Sequence, residues 1–152
     1  MIVSNIYSSQ PISVAGIDRE FARADIEFHE LDHSGASFEG RVFLNNTSAD
    51  EKTETSPAHG YAGSFHVFGH GGCFGDEGHC DVAPRRTYDP RPAHPLAPAV
   101  KVVIATGALR AALSGSPETI TVTVVPVVTS LTGKCGPDDV LSFSTVRIVT
   151  YR

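Results

Sequence analysis

The sequence predicts an all-β protein, an antiparallel β-sandwich of the jelly-roll kind with one short helix and one long loop rich in glycine and proline. Several short segments are β-branched or alternate apolar and polar residues, as half-buried strands do. Turn residues separate these segments, and one short segment has a helical pattern. At 152 residues, with 41% hydrophobic and 19% charged residues, the chain can bury one core.

Six segments are predicted as strands: 24–31, 37–44, 63–68, 101–105, 120–128 and 140–151. The four residues 32–35 are expected to form the turn between the first two strands, because they include serine and glycine. In the fifth strand, Pro126 indicates an edge position or a bulge, since proline has no N–H for a sheet ladder.

The helical segment runs from Thr106 to Leu113, with Thr106 expected as its N-cap and Gly115 following its end. At about two turns it is too short to carry a fold, so we expect it to bridge two strands. We expect residues 1–23 to form an N-terminal extension or a first strand. Residues 24–152 are predicted to form the sandwich, with a loop rich in Cys, His and Gly inserted at 66–98.

Charge and hydropathy limit the partners and the location of the protein. The net charge is −5 and no basic cluster occurs, which argues against nucleic acid or anionic membranes as partners. No apolar run reaches the roughly 18 residues that a transmembrane helix needs. The first ten residues lack the charged and apolar regions of a signal peptide. We therefore expect a soluble protein, either cytoplasmic or the mature fragment of a secreted one.

The densest cluster of metal-ligating residue types lies in one glycine-rich stretch, and comprises His66, His70, Cys73, His79 and Cys80. Imidazole and thiolate groups bind copper and zinc, and the glycines would let the backbone fold closely around an ion. The spacing matches no paired zinc signature, so a disulfide between Cys73 and Cys80 is an open alternative. That disulfide would contribute roughly 2–3 kcal/mol. Cys135, next to a glycine, is predicted to be a lone thiol in a turn.

No complete set of catalytic residues can be assembled from the sequence motifs. The GxSxG, P-loop and dinucleotide-binding patterns are all absent from the sequence. Asp76 and Glu77 are adjacent carboxylates in a loop, where such a pair is more often solvated than an acid/base dyad. We therefore expect that the isolated chain is not an enzyme.

Several segments, in this order, resemble the C-terminal domain that follows the dicopper domain in polyphenol oxidases and other tyrosinase-type proteins, named in plants for a KFDV motif. Residues 38–45 (FEGRVFLN) stand where the motif strand would be, although the tetrapeptide itself is absent. The stretch YAGSFHVFGH at 61–70 resembles the FAGSF segment and its histidine. Residues 102–113 resemble the family's strand with a short Leu-rich helix, and residues 119–127 resemble its strand that ends in Val-Pro. Residues 141–149 resemble its closing strand. The long Cys/His loop is more similar to the bacterial version of this domain.

The resemblance implies a β-sandwich that packs on a tyrosinase-type oxidase, shields its copper site, and assists folding or copper loading. The chain has seven histidines, but no helical HxxxH pair with which to build a dicopper centre. It is thus expected to be a non-catalytic accessory domain or subunit. Two alternatives stay open. One is an autonomous copper- or zinc-binding protein that uses the loop from His66 to Cys80, and the other is a self-associating β-sandwich that forms a homo-oligomer.

Overall fold

A computed structural model describes residues 5–33, 35–69, 87–88, 90, 98–128 and 140–152 of the chain. In these ranges the strands are β1 (Tyr7–Ser8), β2 (Ile12–Ser13), β3 (Arg23–Leu31), β4 (Phe38–Leu44), β5 (Tyr61–Val67), β6 (Ala99–Ile104), β7 (Thr119–Ile120), β8 (Val122–Val128) and β9 (Thr145–Tyr151). One helix, α1 (Thr106–Leu113), and a 3-10 turn at Pro57–His59 complete the described elements. The predicted all-β sandwich with a short helix is confirmed.

Two antiparallel sheets form the sandwich. The four-stranded sheet has the order β1-β8-β4-β5, and the three-stranded sheet has the order β6-β3-β9. A small additional pair joins β2 to β7, so the segment before Arg23 supplies strands to two of the three sheets. Sequence neighbours β3 and β4 lie in different sheets, and the predicted turn between them therefore crosses from one layer to the other.

The core lies between the two large sheets and follows the period of two along each strand. On β3, Ala24, Ile26 and Phe28 point inward and are at most 1% exposed, while the residues between them point outward. The four-stranded sheet supplies further buried side chains, which include Phe38, Val42, Phe65 and Val124. Burying each such side chain contributes about 1.5–3 kcal/mol, so the alternating pattern is what joins the layers.

Pro126 lies inside β8, a strand that has neighbours on both sides in the sheet order. The neighbour β1 is only two residues long, and it pairs with Thr123 and Val124. Pro126 therefore lies beyond the end of β1, opposite Gly40 of β4. The missing N–H is tolerated there because the ladder to β1 has already ended.

The helix α1 has the predicted bounds, but its predicted cap is wrong. Ala105 occupies the N-cap position and makes no side-chain cap. The Thr106 hydroxyl instead accepts a hydrogen bond at 3.1 Å from the backbone N–H of Ala24, because α1 begins where β6 ends beside β3. Leu109 and Leu113 are buried and fix the helix against the core. In the part of the chain that the structure describes, no helix is long and apolar enough to cross a membrane.

The last predicted strand is shorter than the sequence pattern indicates. β9 begins at Thr145 rather than at residue 140. Val140 and Leu141 are adjacent and both buried, which a single strand face cannot provide. The next residues cross the end of β3 instead, where the Ser142 carbonyl accepts from the Asp32 N–H at 2.8 Å and the Ser144 N–H donates to the His29 carbonyl at 3.0 Å.

Candidate functional site

The predicted Cys/His loop leaves the sandwich at the end of β5, and His66 is its first predicted ligand. His66 is exposed between the buried residues Phe65 and Val67, so its ring lies on the outer face of the four-stranded sheet. The remaining predicted ligands are outside the described residues, namely His70, Cys73, His79 and Cys80. The metal site and the Cys73–Cys80 disulfide consequently both stay predictions.

Across the sheet ladder, His66 faces a carboxylate. Glu39 of β4 lies opposite His66 across the ladder, a position that places side chains about 5 Å apart at Cβ. The Glu39 carboxylate accepts a hydrogen bond at 3.2 Å from Nε of Arg41. Among the described residues, no group of three or more His, Cys, Asp or Glu side chains could hold a metal ion.

The two described ends of the loop meet at one end of the sandwich. At the start, the Gly69 N–H donates to Ser37 Oγ at 3.0 Å. A Cβ on Gly69 would be 2.1 Å from the carbonyl oxygen of Gly35, so this close approach of two backbones requires glycine. At the other end, Ala99 begins β6 and pairs with Leu31, the last residue of β3. The loop is thus anchored against the link between the two sheets.

A second segment starts at the same end. Val128 is the last residue of β8, and it lies opposite Phe38, as does Val67 of β5. The segment that follows Val128 contains Cys135, which is outside the described residues. The sequence predicts Cys135 as a lone thiol in a turn, because it is next to a glycine. Strand pairing brings the starting points of both cysteine-bearing segments to one end of the molecule.

A cleft of about 690 Å³ opens between α1 and the 3-10 turn. Two asparagine side chains on one wall bond to the backbone: Nδ2 of Asn46 donates to the His59 carbonyl of the turn at 2.8 Å, and Oδ1 of Asn45 accepts from the Thr121 N–H at 3.0 Å. The helix contributes glycine and alanine to the opposite wall, and no carboxylate among the described residues lines the cleft. These residues provide no acid–base pair for catalysis.

The outer face of the three-stranded sheet is the other surface of note, and we call it the β6 face. It carries Val100, Val102 and Ile104, which point outward from β6 and are 55%, 44% and 63% exposed. Register places Val102 beside Glu27 and Ile104 beside Asp25 on the central strand β3. The sequence predicted the strand but not this exposure. A run of β-branched residues is found both in strands covered on one face and in strands covered on both faces, so the pattern does not distinguish them.

The charges at the centre of the β6 face are paired with one another. Asp25 is only 3% exposed, and its two carboxylate oxygens accept hydrogen bonds at 2.8 and 2.9 Å from the Arg23 guanidinium. The hydrogen bonds that Arg23 donates to Asp25 raise the pKa of Arg23 above its ordinary value. Next along the strand, His29 Nε2 lies 2.8 Å from a carboxylate oxygen of Glu27.

The fold has counterparts among solved proteins. The sequence itself matches no protein-family model, and no curated protein matches it either. Over nearly its whole length, the chain is similar in fold to a part of polyphenol oxidase structures.

The matching structures include several of latent aurone synthase, a polyphenol oxidase. The recombinant protein co-crystallised with hexatungstotellurate(VI) has a TM-score of 0.55 and 18% identity, with 97% of this chain covered. The protein from a natural source has a TM-score of 0.53 and 15% identity, and the recombinant protein alone 0.55 and 17%. This chain spans about a quarter of the length of these proteins, 24% or 25%. The likeness is one of fold.

Proposed function

We propose that the chain is a non-catalytic accessory domain or subunit that packs on a tyrosinase-type dicopper oxidase. The observation that carries this proposal is the structural match, which covers 97% of this chain but only 24% of a latent polyphenol oxidase. A unit of this size is one module of such a protein, accompanied there by three-quarters of the chain. The ordered sequence resemblance over residues 24–150 supports the same assignment.

The placement of the titratable side chains supports a role without catalysis. Three described carboxylates on the outer sheet faces are engaged with a neighbour on the same strand: Asp25 with Arg23, Glu27 with His29 and Glu39 with Arg41. Such pairs organise a surface, whereas a general acid or base acts from a cleft within reach of the substrate. In this proposal the oxidase supplies the copper chemistry, and this chain shields the copper site and assists folding or copper loading.

The test is to mix the purified chain with the dicopper oxidase encoded in the same gene or the gene beside it. We expect saturable binding and a slower oxidation of a phenol as the chain is added. Binding without slowing would contradict shielding while leaving the accessory role. Oxidation of the phenol by the chain alone, with added copper, would contradict the proposal as a whole.

A second candidate is an autonomous copper- or zinc-binding protein. It is favoured by the meeting of the two loop ends at one end of the sandwich, where the exposed His66 begins the cluster. Elemental analysis together with thiol titration separates the alternatives: stoichiometric metal that is lost in His70→Ala and Cys73→Ser supports the metal site. Two protected thiols without metal, released by a reductant, support the Cys73–Cys80 disulfide instead.

A further inference from the structure

On one side of the sandwich, the edge strands of the two large sheets protect each other. β5 ends the four-stranded sheet and β6 ends the three-stranded sheet, and a Cβ on Gly63 of β5 would be 2.7 Å from a methyl carbon of Val103 on β6. Register shifts also interrupt the ladder from β5 to β4 and the ladder from β6 to β3. Such irregularities, and a covering element, are what prevent an edge strand from pairing with another chain.

The edge strand β9, on the other side of the sandwich, has none of these protections. It pairs with β3 at every residue from Thr145 to Tyr151 without a register shift, and it contains neither proline nor glycine. Its one charged residue, Arg147, lies opposite Glu27 on the outer face and not toward the core. The edge strand that faces it, β1, is only two residues long. Among the described strands, β9 is therefore the long edge that is open to pairing.

The backbone at this edge indicates what kind of partner it takes. In the described ranges no strand pairs with the side of β9 that is turned away from β3. The N–H and C=O groups along that side are complementary to a further extended strand. The side chains agree, because Val146 and Ile148 point inward against the core but are only half-buried. A strand added beside β9 would cover both of them.

A second copy of β9 fits this edge. In an antiparallel pair about a two-fold axis at Ile148, the middle of the strand, all seven residues overlap. Ile148 then meets its own copy on the inner face, and Val146 meets Thr150 of the second copy. On the outer face, Arg147 meets Val149 of the second copy, so the one charge of the strand does not face itself. Like charges directly opposite one another destabilise a sheet, and a two-fold interface must be self-complementary.

We propose that the chain forms a homodimer in which β9 pairs antiparallel with β9 of a second copy, centred on Ile148. The three-stranded sheets of the two copies then form one continuous sheet across the two-fold axis. This inference goes beyond the proposed function and does not rest on it, since the dimer needs no oxidase. It assigns a strand and a register to the homo-oligomer that the sequence leaves open.

The test is sedimentation equilibrium of the purified chain over a wide range of concentrations. The variant is Val149→Lys, which places a lysine opposite Arg147 of the other copy at two positions related by the axis. The matched control is Ile104→Lys, because the register places Val149 and Ile104 on either side of Asp25. Both variants thus add a positive charge beside the same carboxylate, but only one adds it at β9. We expect the dimer Kd to rise about tenfold or more for Val149→Lys and to stay unchanged for the control.

A second change tests the register. Adding Arg147→Thr to Val149→Lys removes the charge that the lysine faces, so dimer formation should recover in part.

The other outcomes overturn the inference. A native chain that stays monomeric overturns the dimer, and a dimer that Val149→Lys does not weaken overturns the assignment to β9. An equal loss in Ile104→Lys overturns it too, since that residue lies on the opposite edge strand. Should Val149→Lys fail to fold, amide hydrogen exchange of the native chain decides: the β9 amides must exchange more slowly in the dimer than in the dilute monomer, and equal rates overturn the pairing. None of these results bears on the accessory function, because no oxidase is present.

Discussion

At the scale of single residues, the packing on the inner face of the four-stranded sheet requires a glycine at position 40. Gly40 lies in the middle of β4, and the Phe65 ring occupies the space where a Cβ would be. That ring also packs on Phe28, with centroids 4.9 Å apart, and therefore connects the two sheets. The glycine is required here for packing and not for an unusual backbone angle.

Gly40→Ala is expected to destabilise the protein by about 1–3 kcal/mol, as overpacking of a core does. The new Cβ would be 2.4 Å from Cζ of Phe65, so the ring must move. Urea unfolding followed by tyrosine fluorescence measures the loss, since the chain has four tyrosines and no tryptophan. Combining the change with Phe65→Leu should cost less than the sum of the two separate changes. Strict additivity would mean that the ring is not the obstacle.

A second residue controls a surface turn by its charge. Asp50 lies in the loop before the 3-10 turn, and its carboxylate accepts a hydrogen bond at 2.9 Å from the Lys52 N–H. The Thr53 hydroxyl donates to the same oxygen at 3.1 Å. These bonds hold the pKa of Asp50 below its ordinary value of 3.8, with the Lys52 bond as the largest cause.

The lowered pKa predicts how this turn responds to pH. The ionised carboxylate stabilises the fold above its ordinary pKa, and this contribution is lost as pH falls through the lowered value. Asp50→Asn keeps an acceptor oxygen but removes the titration. We therefore expect the native chain to lose its advantage in Tm over the variant as pH falls from 6 to 2, measured by melting curves. Parallel Tm curves over this range would contradict the prediction.

At the scale of elements, α1 anchors one end of the sandwich with few residues. Leu109 and Leu113 are buried, and Arg110 donates to the Phe21 carbonyl at 2.9 Å while its guanidinium carbon lies 5.3 Å from the Phe21 ring centroid. An isolated helix of eight residues would be unstable in water. Its stability therefore comes from packing on the sheets.

Leu109→Ala should destabilise the protein by about 2–5 kcal/mol, because the side chain is 1% exposed and the cavity cannot collapse between two sheets. Gly107→Ala is the control on the same helix. A Cβ there meets nothing within 4 Å, so we expect a gain of about 0.5 kcal/mol from the better helix former. Urea midpoints measure both changes. Equal effects of the two substitutions would mean that α1 is not anchored by Leu109.

At the scale of the whole molecule, one buried cluster spans both large sheets and the helix. It includes Ile26 of the three-stranded sheet, Val42 of the four-stranded sheet and Leu109 of α1. The sheets also approach closely at one side, where a Cβ on Gly63 would be 2.7 Å from a methyl carbon of Val103. The two layers therefore cannot lose their packing independently.

A shared core predicts that the chain unfolds in one cooperative step. Urea unfolding should give coincident transitions by far-ultraviolet circular dichroism and by tyrosine fluorescence, with a slope of about 1–3 kcal/mol per molar. Two separated transitions would show that the sheets are independent units, contrary to the shared cluster. A variant that carries Val100→Thr, Val102→Thr and Ile104→Thr provides the control, since these exposed side chains lie outside the core and their replacement should leave the slope unchanged.

The sequence predicted most strands because their signal is local. Residues 24–31 and 37–44 alternate, and the structure has strands β3 and β4 with nearly the same bounds. The predicted start of the last strand was wrong because apolar residues occur in buried loops as well as in strands. Val140 and Leu141 are buried in a segment before β9 and do not belong to a strand. Likewise, a threonine at a helix start indicates a cap, but Thr106 bonds to a distant strand.

The sequence alone thus determined the β-sandwich class, the position of its one described helix and the location of the Cys/His cluster, because alternation, helical period and residue type are properties of neighbouring residues. Only the tertiary structure decided that β3 and β4 lie in different sheets, that both cysteine-bearing segments start at one end, and that the stripe of Val100, Val102 and Ile104 faces outward. Each of these depends on which strands pair and which face is covered. Those choices are made by contacts between residues that are far apart in the chain.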